Sequence, residues 1–132
     1  MTTAVRPVRV GLDDVLLGDG ALAAMIGTRA YVESQKPEGA QLPFISYGTP
    51  YETDFATFST PGNTGTRILH LYGDDEDVVE VMFGHVKRIG AAGFAVTGHA
   101  MLVFTSTLLS VAADPGGGAH GVVRVAYTTQ TT

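Results

Sequence analysis

The side chains able to do chemistry are few in this sequence, and their spacing brings no reactive set together. Asp74, Asp75, Glu76 and Asp77 stand in a row. A divalent cation needs oxygens converging from a loop, as in a spaced D-x-D-x-D-G pattern with a distal glutamate. Consecutive acids at a helix start fan outward instead, and the helix dipole explains them at ~0.3–1 kcal/mol each. His70, His85, His99 and His120 have no pair three to five residues apart, so metal-ligand spacing is absent. They read as core or solvent histidines, or as interface groups titrating near neutral pH. Glu52 and Asp54 share one face of a predicted strand, a placement compatible with paired-carboxylate catalysis. Solvated edge charges that discourage stray strand pairing are the simpler reading. Ser46 lies outside any G-x-S-x-G frame and has no identifiable base. Gly18-Asp19-Gly20 follows a predicted helix rather than a strand and has Ala23 at the third glycine position of a dinucleotide fingerprint. Pro61 to Thr66 lacks the lysine of a phosphate-binding loop. With no cysteine, thiolate zinc sites, iron–sulfur clusters, disulfides and a Cys nucleophile are excluded. No catalytic residue, metal or cofactor is expected.

Composition sets the frame for these groups. The chain has 132 residues, 45% hydrophobic and 16% charged, which fits one domain over residues 1–132 with a real core. No apolar run approaches the ~18–20 residues of a membrane span, and the N-terminal residues lack the pattern of a signal peptide. A net charge of −5 argues against capture of nucleic acid through its phosphates. It suits a surface that DNA passes without sticking. Seventeen glycines in 132 residues, against a usual share of ~7%, and sparse charge fit a protein packed against copies or partners.

Periodicity supplies the elements. Val5, Val8, Leu12, Val15 and Leu16 recur at helical steps, with Pro7 in the first turn and Gly18 as a stop. Asp19 is placed to cap a second short helix through Ile26, closed by Gly27. Short strands are predicted at Arg29–Val32 and Phe44–Tyr47, and an alternating one from Tyr51 to Thr57. Ser59 to Thr66 reads as a turn-rich connection before a strand at Arg67–Tyr72. Asp75 to Ile89 is the clearest helix: acids at its start, His85, Lys87 and Arg88 near its end, and Val78, Met82, Val86 and Ile89 on one stripe. Gly90 and Gly93 bracket its end. A short strand at Phe94–Val96, then a long hairpin of Met101–Ala112 and Gly121–Gln130 around an Asp114–Gly118 turn, complete the order. The fold class predicted is α+β: a mainly antiparallel β-sheet with helices packed on one face and a long C-terminal β-hairpin.

That order, and a few short strings, resemble the small tail-completion proteins, the tail terminators of long-tailed bacteriophages, prophages and gene transfer agents. The resemblance runs through Leu22-Ala23-Ala24-Met25-Ile26-Gly27-Thr28-Arg29, then Leu42-Pro43-Phe44-Ile45-Ser46-Tyr47 and Arg67-Ile68-Leu69-His70-Leu71-Tyr72. It continues through the Asp75–Ile89 helix and the closing Arg124-Val125-Ala126-Tyr127. Related chains often carry a tryptophan where Tyr72-Gly73 stands here.

The resemblance implies a structural virion protein and no enzyme. Its copies would form a hexameric ring at the head-proximal end of the tail, assembled in the host cytoplasm, that stops tube polymerisation. The implied partners are further copies of the chain, the tail tube protein and a head connector or neck protein. DNA would cross the channel without sequence-specific binding, and no membrane is involved. Ring closure needs heterologous contacts, for which sheet edges and the long hairpin are suited. Asn63, Thr64, Gly116, Gly117, Gly118, Arg124 and Tyr127 are the interface candidates, with the glycine-rich stretches 59–66 and 114–121 expected to order on assembly. Six copies at −5 each would surround the channel with about thirty negative charges, discouraging DNA adhesion. Glu52, Asp54, Asp74, Asp75 and Asp77 are the candidates to face it. A head-side neck component, a small ligand-binding α+β domain and an oligomeric adaptor unrelated to phages are the competing readings.

Overall fold

Local signals build three helices and five strands in the computed structural model, which describes residues 3–32, 35–56 and 61–132. In chain order they are α1 (Val5–Gly18), α2 (Gly20–Ile26), β1 (Ala30–Val32), β2 (Phe44–Ala56), β3 (Pro61–Gly73), α3 (Glu76–Ala91), β4 (His99–Ala113) and β5 (Ala119–Thr131). The strands form one sheet in the order β1-β2-β3-β5-β4. Every pairing is antiparallel except β1 with β2. The α+β class expected from the sequence is the class observed.

Caps fix where the helices begin. The Asp19 carboxylate accepts the Leu22 amide at 3.0 Å, and that of Asp75 accepts the Val78 amide at 2.9 Å, each satisfying a donor the helix cannot. The Asp19 carboxylate also receives both terminal nitrogens of Arg88, at 3.1 and 2.9 Å. One side chain thus ties the α1–α2 junction to the end of α3. Arg29 continues the stapling, donating to the Met25 carbonyl at 3.1 Å and to that of Pro43 at 3.0 Å.

The core lies between the helices and one face of the sheet. Ile45 and Tyr47 of β2, Leu69 and Leu71 of β3, and Val123 and Val125 of β5 meet Leu12, Leu16, Leu22, Ile26, Val79, Met82, Val86 and Ile89. Burying each such aliphatic side chain contributes roughly 1.5–3 kcal/mol before conformational entropy is charged. Tyr47 is 1% exposed, and its hydroxyl donates to Asp13 at 2.9 Å. Burial, with the Asp13 charge beside it, pushes that phenol's pKa upward. Burial likewise raises the Asp13 carboxyl, against the hydrogen bond from Tyr47.

Several expectations are corrected. Residues 61–66 are not a loop: they form the first half of β3, paired with β2 on one side and β5 on the other. The glycines that suggested a turn are there for close approach. A Cβ on Gly65 would stand 2.6 Å from the Tyr127 hydroxyl oxygen, and one on Gly121 would stand 2.5 Å from Val79. The strands predicted at 44–47 and from Tyr51 are one strand, continued through a bulge between Tyr47 and Pro50. Gly90 lies inside α3, where a side chain would meet the Phe104 ring at 2.6 Å. Phe94–Val96 is no strand; Val96 makes a single bridge to His99. Thr57, Ser59 and Thr60 lie outside the described residues. The Asp114–Gly118 turn forms as expected, with the Gly117 amide on the Asp114 carbonyl at 2.9 Å and the Asp114 amide on that of Gly118 at 3.0 Å. Positive φ at Gly117 and Gly118 makes glycine the residue for that tip.

Candidate functional site

The open strand edges, two cavities and one aromatic–histidine cluster are the features of the candidate site. Among the described residues, no three His, Cys, Asp or Glu side chains gather to hold a metal ion, and no helix is long and apolar enough to cross a membrane.

Glu52 is part of the interior bracing, not a solvated edge charge. One carboxylate oxygen accepts the Ala4 amide at 3.0 Å, at the start of α1, and the other accepts the Tyr127 hydroxyl. The register explains how: Glu52 lies opposite Gly65, and Gly65 opposite Tyr127, so the missing glycine side chain lets acid and phenol meet across β3. Burial, then the hydrogen bond to Glu52, raises the Tyr127 pKa. Tyr127 and Asn63 are 3% and 2% exposed, so both side chains are occupied within the single chain. Thr64 is half-buried, its hydroxyl donating to the Tyr127 carbonyl at 3.2 Å. Gly116 and Gly117 are exposed at the hairpin tip and Arg124 is exposed on β5, while Gly118 is partly covered. The acids divide in the same way. Asp54, Asp74, Asp75 and Asp77 are exposed, but Asp75 is committed as a cap.

The sheet face away from the helices carries a cluster that spacing alone did not reveal. His70 and His120, fifty positions apart, share a 2.7 Å hydrogen bond between ring nitrogens. Tyr72 stacks on His120 with centroids 4.4 Å apart, and Phe44 stacks on Tyr72 at 4.6 Å. The Lys36 ammonium lies 5.8 and 5.4 Å from the Phe44 and Tyr72 ring centres. The cause is topological. Parallel pairing of β1 with β2 sends the intervening chain back to the starting end of the sheet, and Lys36 on this crossing covers the aromatic row. A cavity of about 400 Å³ opens between residues 36–42 and the hairpin tip at Asp114–Gly117. A second, of about 460 Å³, lies between the end of α3 and the start of β4. His99 borders it, 6% exposed with neither ring nitrogen hydrogen-bonded. Neither cavity holds a nucleophile next to an oriented base, the arrangement covalent or acid–base catalysis requires.

The strand edges are the larger open feature. β4 spans 15 residues without one Asp, Glu, Lys or Arg. Only β5 pairs with it among the described residues. Leu102, Val103 and Leu109 are exposed along it. On the opposite side of the sheet, β1 covers β2 only at Ile45, Ser46 and Tyr47. Beyond them, from Pro50 to Ala56, that edge of β2 has no strand partner among the described residues. Tyr51, there, is 67% exposed.

Comparison with known proteins places this architecture. No family model and no curated protein matches the sequence. The fold, however, is shared with a chain of the virion of a native gene transfer agent particle. That chain is 14% identical, is matched over 100% of both chains, and superposes with a TM-score of 0.69. The fold is also shared with the gp17 protein of bacteriophage SPP1, at 17% identity over 93% of this chain and 88% of that one, with a TM-score of 0.59. The likeness is one of fold, spanning the whole architecture from α1 to β5.

Proposed function

We infer that this chain is a structural virion protein, a tail-completion protein acting through surfaces and not through a reactive centre. The observation that carries the reading is end-to-end agreement of the fold with a chain of a gene transfer agent virion. In this reading, copies close into a hexameric ring at the head-proximal end of the tail, stop growth of the tube of tail protein and join it to a head connector or neck protein. A ring built by rotation requires two different complementary surfaces on each copy; the open edges of β4 and β2 are such a pair. DNA crosses the channel without specific binding, and a chain with net charge −5 offers its phosphates few counterions to exchange. Of the acids nominated for the channel or its mouth, Asp54, Asp74 and Asp77 are exposed and outside the caps; Glu52 and Asp75 have internal hydrogen bonds to keep. No cofactor enters the account.

The test is reconstitution. Particles made without this protein should yield separate heads and tails, and the purified chain added to them should restore joined particles. Joined, infectious particles in its absence would reject the reading.

A further inference from the structure

The geometry points to a specific junction between copies, resting on the ring reading above: the upper half of β4 in one copy pairs antiparallel with the free stretch of β2 in the next, extending the sheet across the boundary. Four observations lead there. First, the two open edges lie on opposite sides of one sheet, as a head-to-tail contact requires. Second, successive antiparallel pairings from β2 through β3 and β5 make β4 run opposite to β2. The edges of neighbouring copies related by rotation about an axis along the strands would therefore meet antiparallel. Third, they are level. Tyr51 is in register with Thr66, then Ala126, then Thr105, and Thr53 with Thr64, Thr128 and Val103.

Fourth, each edge divides at the same height. The covered part of β2 is opposite Leu108–Val111, around the second bulge of β4, and the free part from Pro50 to Phe55 is opposite Ala100–Ser106. β1 would thus border the lower half of β4 without blocking the upper half. Isolated edges are normally protected by lysine, proline or brevity. Here the upper half of β4 has neither lysine nor proline and is interrupted only by the bulge at Met101/Val103, and it exposes Leu102 and Val103 by 50% and 53%. A strand with unpaired amides and carbonyls is recognised by another strand, and the chain itself carries one of matching direction and height. The occupant is therefore a second copy of this chain.

The lack of native cysteine makes the test direct. Paired substitutions combine Tyr51→Cys or Thr53→Cys with Val103→Cys or Thr105→Cys, scanning the register across the junction, and the purified full chain is oxidised mildly. The expected result is a ladder of covalent multimers for one pair, with no ladder for any single substitution. Leu102→Lys with Val103→Lys should abolish multimers in native mass spectrometry, while Val81→Lys, an exposed change on α3, leaves them intact. Multimers that form normally, cross-link with none of the pairs and survive the double lysine variant overturn this junction and leave the ring standing. A wild-type chain that stays monomeric at millimolar concentration, with no ladder, overturns the ring and the junction together.

Discussion

At the scale of single residues, the polar contacts brace the fold. Tyr127→Phe removes the shorter of the two hydrogen bonds that Glu52 Oε2 accepts, leaving that oxygen the Ala4 amide at 3.3 Å. Because the site is half-buried, a loss of about 1–3 kcal/mol is expected, measured by urea denaturation against wild type. Glu52→Gln, which can still accept from Ala4, should cost less than Glu52→Ala. The Asp19–Arg88 pair predicts a pH signature. Arg88, then the Leu22 amide, holds the Asp19 carboxyl down at about 2, from an ordinary 3.8. The folded-state pKa is depressed, so the contribution is fully present above about pH 4 and disappears as pH falls through about 2. Melting temperatures of wild type and Asp19→Asn should therefore differ at neutral pH and converge between pH 4 and 2. The pair is solvent-exposed, so high salt should narrow the difference. Equal spacing of the two curves across that range would contradict the assignment. Such contacts were partly legible in sequence: Asp19 announces itself as a cap and the acids at 74–77 as a helix start, whereas the partnerships of Glu52 with Tyr127 and of His70 with His120 depend on strand register.

Among the elements, glycine was the least legible residue. In Pro61–Thr66 its density mimics a turn, yet β3 uses Gly65 to admit Tyr127. The same logic puts Gly121 under Val79 and Gly90 against Phe104. The three-residue β1 was visible, but its parallel pairing was not, because a short strand carries no sign of direction. By contrast, the α3 stripe and the alternation of Val123, Val125 and Tyr127 gave faces that the core reproduces, since burial acts on every turn or second residue. Two element-scale predictions follow from this packing. Gly11→Ala would push α1 off the backbone at Ala95 and the ring of Phe94, an overpacking cost of about 1–3 kcal/mol. Met82→Ala, at the centre of the α3 stripe and fully buried, should cost about 2–5 kcal/mol. Both are read from chemical denaturation midpoints. Wild-type stability in Gly11→Ala would show that the helix can slide at no cost.

For the whole molecule, the open surfaces matter more than any site. One sheet face is filled by helices; among the described residues the outer edge of β4, and that of β2 from Pro50 to Ala56, have no further strand partner; and exposed acids gather at the start of α3. The sequence foretold the class and the three helices because these depend on repeated local patterns, but it split β2 in two and added a strand at Phe94–Val96. It did not foretell which edges stay open, which follows from where β1 stops. The charge account makes its own prediction. Asp74→Lys with Asp77→Lys, which spares the Asp75 cap, should leave the circular dichroism spectrum unchanged yet slow DNA release from assembled particles. Unchanged release kinetics would remove these acids from the channel mouth.

The most direct measurement of the central claim is the distribution of tail lengths, counted by electron microscopy in particles lacking this protein. Tails that overrun the normal length and remain unattached to heads are the predicted result. A single normal length, on tails joined to heads, would contradict the account.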